Sequence, residues 1–141
     1  MDRISVDKLK ALQALVSDIS AEAAMARQKF SPLGRVALAK GELHRRRIRD
    51  KIFLPAEIFY DPAWDILLEL YIADAEGAKL TASSVCIEAR IPQTTIVRWL
   101  ALLERINLVE QKPDHTDKRR KWLDLTKFGI ELMDRYFSAQ D

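Results

Sequence analysis

Leu9, Leu12, Val16, Ile19, Ala23, Ala26 and Phe30 recur at alternating spacings of three and four, and residues 5–29 contain neither glycine nor proline. This is a heptad pattern, so it predicts a long helix with an apolar seam. At 1.5 Å per residue that helix spans ~37 Å, and its seam needs a partner, either this chain or a second copy. Ser31-Pro32 supplies a cap and a first-turn proline, predicting a second helix over 33–53 that Pro55 ends. Its apolar stripe is weak: Leu33, Val36, Ala37, Leu43, Ile48 and Ile52. Asp61-Pro62 repeats the start signal. The third helix carries Trp64, Leu67, Leu68, Tyr71 and Ala75 on one face, with Gly77 as its stop. Thr81 caps a short helix, 82–90, with Val85, Cys86 and Ala89 inward. A longer helix over about 93–106 buries Ile96, Leu100 and Leu103, and Asn107 suits the left-handed residue that follows a helix.

The period then changes from helical to alternating. Residues 108–112 read as a strand and residues 113–118 as a polar turn. Residues 119–125 read as a second strand, with Lys121, Leu123 and Leu125 on one face and Arg120, Trp122 and Asp124 on the other. Thr126 caps a last helix reaching about 138. The expected class is mainly α with a small β-hairpin wing. A winged helix-turn-helix would occupy residues 55–141, and residues 1–54 would form an N-terminal helical dimerisation segment.

Composition adds little until its distribution is considered. The 141 residues are 48% hydrophobic and 31% charged, with a net charge of +2. Residues 35–51 hold seven cations against Glu42 and Asp50, whereas residues 52–80 hold six carboxylates against Lys79. Separate basic and acidic surfaces are therefore expected. Cys86 is the single cysteine, so no intrachain disulfide can form. It reads as a buried structural thiol. The absence of a membrane-length apolar run and of a signal-peptide core leads to the expectation of a cytoplasmic protein without membrane contact. His44, His115 and Cys86 lack metal-ligand spacing, and no phosphate loop or nucleophile elbow is present. Neither a cofactor, a metal nor an enzymatic activity is expected.

The candidate chemistry lies in the second half. The helices at 82–106 have the lengths of a helix-turn-helix. Thr94, Arg98, Ala101 and Arg105 share the face opposite the buried one, and it is small, polar and basic. Such a face fits a major groove, where Gln93, Thr94, Thr95 and Arg98 have the donors and acceptors that base edges require. Lys118, Arg119, Arg120 and Lys121 crowd the hairpin tip, suited to phosphates or to a minor groove. Asp117 can hold Arg119 in one rotamer, because residues two apart on an extended arm leave the same face. Arg45, Arg46, Arg47 and Arg49 form either a solvated helix face or an auxiliary phosphate-contacting surface. Trp122 is expected on the outer face of its strand, against a helix or partner subunit or at the nucleic-acid backbone.

Residues 80–129 resemble the winged-helix domain of MarR-type regulators. The resemblance is carried by Leu80-Thr81, by Thr95 and Arg98, by Leu103-Glu104 before Leu108-Val109, and above all by the wing. There Asp117-x-Arg119-Arg120 is followed by Leu125-Thr126-x-x-Gly129. The resemblance implies that the helix from Gln93 enters the major groove, that Arg119 reaches the minor groove and that the protein is a dimeric transcriptional regulator. Glycine is usual in the family where this chain has Arg90 and Asn107, and the family's C-terminal dimerisation helices are usually longer. The N-terminal seam would take over that task. The expectation is a homodimeric repressor on double-stranded DNA, with any small-molecule effector unidentified. The rival reading is a winged-helix adaptor that binds proteins and not DNA; fold alone does not separate the two.

Overall fold

A computed structural model of the chain describes residues 5–29, 31–53 and 56–139, and describes the backbone alone for residues 24–29, 56 and 57. The expected seam residue Phe30, the side chain of Ala26 and the stop at Pro55 lie outside what is described. The elements run α1 (Val6–Lys29), α2 (Pro32–Ile52), a 3-10 turn (Ala56–Phe59), α3 (Pro62–Glu76), β1 (Leu80–Thr81), α4 (Ala82–Ala89), α5 (Gln93–Arg105), β2 (Val109–Pro113), β3 (Lys121–Leu125) and α6 (Lys127–Phe137).

Side-chain caps start the helices where the sequence places them. Ser31 Oγ accepts from the Gly34 amide at 3.2 Å and Asp61 Oδ1 from the Trp64 amide at 3.3 Å. Thr81 and Ser84 cap α4 reciprocally. Thr126 Oγ1 accepts from the Gly129 amide at 2.9 Å. Each satisfies an amide that has no partner within its own helix. Gly77 ends α3 in the left-handed conformation, at φ 69°.

α3 is the centre of the core. Ile66, Leu68, Leu70, Tyr71 and Ala73 are all buried, so most of the helix circumference up to Ala73 is covered. Of the expected face, Leu68 and Tyr71 are buried and Trp64 and Leu67 pack half-buried against the core, but Ala75 is exposed, and Ile66, Leu70 and Ala73 are buried outside that face. α2 packs into the same core through Ala39 and Leu43. Its expected stripe fails at Leu33, Ala37 and Ile52, which are exposed. The core is thus continuous across residues 54 and 55: Ala39 and Leu43 join Ile66, Leu68, Leu100 and Phe137 in one cluster. Trp64 Nε1 donates to Glu42 at 2.6 Å, and Tyr71 Oη donates to Asp134 at 2.6 Å, tying α2, α3 and α6 together.

The sheet has three antiparallel strands in the order β1-β3-β2. β1 was unexpected. Leu80 and Thr81 pair with Leu123 and Trp122, closing the edge that the hairpin would otherwise leave open. The hairpin register pairs Val109 with Leu125 and Pro113 with Lys121, so β3 begins two residues later than expected. Leu123 and Leu125 point into the core, as the alternation predicts.

α1 is different. Val6, Leu9, Leu12, Leu15, Val16 and Ile19 are each between 46% and 66% exposed, and Ala23 is exposed too. Among the described residues, the chain does not cover its own seam.

Candidate nucleic-acid interface

α5 has the two faces that its sequence predicts. Ile96, Leu100 and Leu103 are buried against the core, while Gln93, Thr94, Arg98, Ala101 and Arg105 are exposed. Thr95 is half-buried. Among the described residues, neither Arg98 nor Arg105 has an ion-pair partner. The helix starts after Pro92 without a side-chain cap; the Thr95 amide donates to the Pro92 carbonyl at 3.0 Å, and the amides of Gln93 and Thr94 receive no cap. Such amides favour an anion in front of them.

Two turns orient this helix. Arg90, between α4 and α5, is left-handed at φ 55°, and Asn107, after α5, at φ 63°. Glycine adopts this conformation most readily, and asparagine tolerates it. The chain therefore makes the helix-turn-helix turn with an arginine, at a backbone cost of about 1–2 kcal/mol relative to glycine. Beyond Asn107, Thr126 acts as a clasp. Its Oγ1 donates to the Asn107 carbonyl at 2.6 Å, and its amide donates to the Leu108 carbonyl at 3.0 Å. A Cβ on Gly129 would collide with that same Leu108 oxygen, so residue 129 must be glycine for this approach. Leu125-Thr126-x-x-Gly129 thereby joins the wing to the end of α5. Gln111 on β2 and Glu104 on α5 add a side-chain hydrogen bond across the same joint.

The wing tip is a turn rather than an extended arm. Asp117 Oδ1 accepts from the Arg119 amide at 3.0 Å and from Arg119 Nε at 3.3 Å. The pairing anticipated from the sequence is present, but its geometry is that of a side chain closing a tight turn. The Arg119 side chain is nevertheless 92% exposed. Asp114 stabilises the other side of the loop: it accepts from the Thr116 amide and hydroxyl, both at 2.8 Å. These bonds hold its carboxyl below the ordinary aspartate range. Lys118 and Lys121 are exposed, and Arg120 stands 4.0 Å from Asp114. The guanidinium of Arg120 and the ammonium of Lys79 both lie over Trp122, at 5.4 and 5.7 Å from the ring centre. Trp122 is thus a half-buried shelf for two cations, and Lys79 is a wing-adjacent cation that the strand pattern did not reveal.

The basic run on α2 is disposed otherwise. Arg46 Nε donates to Asp65 at 2.7 Å, with both side chains four-fifths buried or more. Arg47 pairs with Glu69 and donates to the Glu88 carbonyl at 2.8 Å, holding the end of α4. Arg49 donates to Asp50 and to the Phe59 carbonyl, and its guanidinium lies 4.5 Å from the Phe59 ring centre. Burial raises the Asp65 and Glu69 carboxyls above their ordinary ranges even with these arginines beside them. The expected separate acidic and basic surfaces therefore do not form here; the two runs neutralise one another across the α2–α3 contact. Arg45 is exposed, with no ion pair among the described residues. Between these ion pairs and the start of α5 lies a cavity of about 740 Å³, lined by Arg46, Phe59, Asp65, Ala89, Arg90 and Thr95 among others. Cys86, expected to be buried, is half-buried, and desolvation raises its thiol above the ordinary range.

No protein-family model matches the chain, and no curated protein matches it in sequence. Solved structures do. A glycine-to-lysine mutant of S. aureus MepR is 24% identical over 69% of this chain and 70% of that one, with a TM-score of 0.50. A MepR–DNA complex from S. aureus is 28% identical over 53% of this chain and 52% of that one, with a TM-score of 0.47. A double mutant of Lactococcus lactis ZitR is 17% identical over 53% of this chain, with a TM-score of 0.47, and the match spans 48% of its length. This chain thus covers about half of the ZitR structures it matches. No helix among the described residues is long and apolar enough to cross a membrane. The MepR likeness and the element order establish the fold: this chain has the winged helix-turn-helix architecture of MarR-type regulators.

Proposed function

We propose that this protein is a sequence-specific regulator of transcription that binds double-stranded DNA as a homodimer and represses by occlusion. α5 would lie in the major groove and the wing, 113–121, at the minor groove. One observation carries the reading. The chain pairs Arg46, Arg47 and Arg49 of α2 with its own carboxylates, yet leaves Arg98 and Arg105 exposed and free of ion pairs among the described residues. Cations without internal partners are available to phosphates and base edges. In this reading Gln93, Thr94, Thr95 and Arg98 read bases, and Arg105, Lys118, Arg120 and Lys121 meet the backbone. Arg119, braced by Asp117, enters the minor groove, whose negative potential is greatest where A·T pairs narrow it. Of the α2 run, Arg45 is the phosphate contact. Arg46, Arg47 and Arg49 serve the fold first. The protein would act in the cytoplasm, by binding and not by catalysis.

The test is binding of a random duplex library across a salt series, with sequencing of the bound fraction. The expected result is an affinity that falls steeply with salt, by a slope of about −0.9 per phosphate contact, and a recovered palindromic motif. Salt-insensitive binding, or none, would instead support the protein-binding adaptor.

A further inference from the structure

α1 exposes an apolar face that no described part of the chain covers, and its charges specify how a second copy would sit on it. We infer that two α1 helices pair antiparallel, in the one register that sets Leu9 against Ile19 of the second copy and Leu12 against its Val16. This inference rests on the homodimer proposed above and adds its orientation.

The reasoning is geometric. In an antiparallel pair, a positions of the heptad face d positions, and the flanking g positions face one another. Leu9, Val16 and Ala23 are a positions; Ser5, Leu12 and Ile19 are d positions; Lys8, Leu15 and Glu22 are g positions. The stated register also sets Ala23 against Ser5, so the layers cover the whole described span of exposed seam. On the flank, Leu15 then meets Leu15 of the second copy at the two-fold axis, and Lys8 meets Glu22 twice. Side chains lean toward the N-terminus of their helix, so in this register the partners at g converge. Shifting by one heptad would set Lys8 against Lys29 and Leu15 against Glu22. A parallel pair would set Leu15 against Ser20 and leave Lys8 opposite Gln13. The antiparallel register alone combines apolar contact for Leu15, which is 57% exposed, with opposite charges for Lys8 and Glu22. It also places the two Lys29 residues at opposite ends of the pair, roughly 45 Å apart at 1.5 Å per residue. The two winged helices would then emerge from opposite ends.

The experiment uses the full chain with Cys86→Ser and cysteines at single seam positions. α1 lies outside the core, so these variants keep the winged helix, which circular dichroism checks. Differently tagged Leu12→Cys and Val16→Cys chains are mixed, exchanged and mildly oxidised. A mixed disulfide forming at least tenfold faster than either self-disulfide is expected. Self-disulfides forming as fast as the mixed one, or no disulfide in a sample that sediments as a dimer, would overturn the antiparallel register. Independently, Glu22→Lys is expected to raise the dimer Kd threefold to tenfold, and Lys8→Glu with Glu22→Lys to restore it. Lack of restoration in a dimeric protein also overturns the register. Sedimentation of the wild type as a monomer at tens of micromolar, or a dimer unaffected by Leu12→Asp with Ile19→Asp, would overturn instead the homodimer through α1.

Discussion

Helices α2 and α5 both carry arginines, and the chain uses the two sets in opposite ways. On α2, Arg46 and Arg47 are drawn down onto α3, where Asp65 and Glu69 meet them in half-dry surroundings. On α5, Arg98 and Arg105 are exposed, with no ion-pair partner among the described residues. In the sequence the α2 run is the denser and looks the more nucleic-acid-like. Spatial pairing reverses that ranking, because a charge already neutralised by a neighbour releases few counterions when it meets a phosphate. Density of positive charge along a chain is thus a poorer guide to binding than the fate of each charge in the fold.

The largest expected effect tests the α2 side. Arg46→Ala strands the Asp65 carboxylate and should cost about 2–3 kcal/mol of stability, below the range for fully buried pairs because both groups keep some water. Urea unfolding should show a lowered midpoint at unchanged slope, with DNA affinity nearly intact at temperatures where the protein is folded. Arg46→Met with Asp65→Leu should recover most of the loss, since burial already disfavours the charged Asp65. The pH dependence has a definite sign. A carboxyl raised on folding contributes stability that is fully present below its unfolded value, 3.8, and lost as pH rises through its folded value. The stability of wild type relative to Asp65→Asn should therefore grow as pH is lowered toward 3.8. A difference that shrinks on acidification would mean that Arg46, and not burial, dominates this group.

Arg98→Ala is expected to reverse the pattern: about 1–3 kcal/mol lost on the preferred site, less on random duplex, and an unchanged urea midpoint. Equal losses on both DNAs would remove Arg98 from base readout. On the wing, Arg119→Ala should weaken binding and erase any preference for flanking A·T pairs. Asp117→Ala should cost roughly 1 kcal/mol, although it makes the wing more positive, because an ordered arginine loses less entropy on binding. Fluorescence anisotropy at fixed salt decides the sign, and tighter binding by Asp117→Ala would leave Asp117 without a supporting role. The smallest effect separates neighbours on α2. Arg45→Ala should flatten the salt dependence by about one unit, while Arg47→Ala leaves it alone.

The sequence made legible those features that rest on a local rule. The caps at Ser31, Asp61, Thr81 and Thr126, the left-handed Asn107, the two faces of α5 and the inward Leu123 and Leu125 all follow from one residue and its near neighbours. What was not legible depends on partners distant in the chain. The buried line of α2 runs Val36, Ala39, Leu43 and then Arg46, so a search for apolar periodicity loses it where an ion pair takes over. The polar line of α3, Asp65 and Glu69, faces α2 and not solvent, so the sequence pattern does not show that it is covered. β1 is two residues long and exists because β3 offers an edge. The tip at Asp117–Arg119 is bent where the alternation suggests an extended arm, since alternation does not show where a strand begins. Among candidate site residues, Gln93, Thr94, Arg98, Arg105 and the wing cations are exposed and Thr95 is half-buried, whereas three of the four α2 arginines are held in ion pairs.

The clasp at Thr126 and Gly129 has a mechanical consequence. The Leu108 carbonyl is pinned by the Thr126 amide and there is no space for a side chain at 129, so the clasp restrains the wing against pivoting on α5. In the proposed homodimer each copy would act as a fixed gauge, the angle between α5 and the wing being set at folding. A signal that loosens such a protein from its site has little to gain by reshaping one copy. In the proposed homodimer it would have to change the distance or rotation between copies, so that two correct gauges no longer fall on the same stretch of double helix.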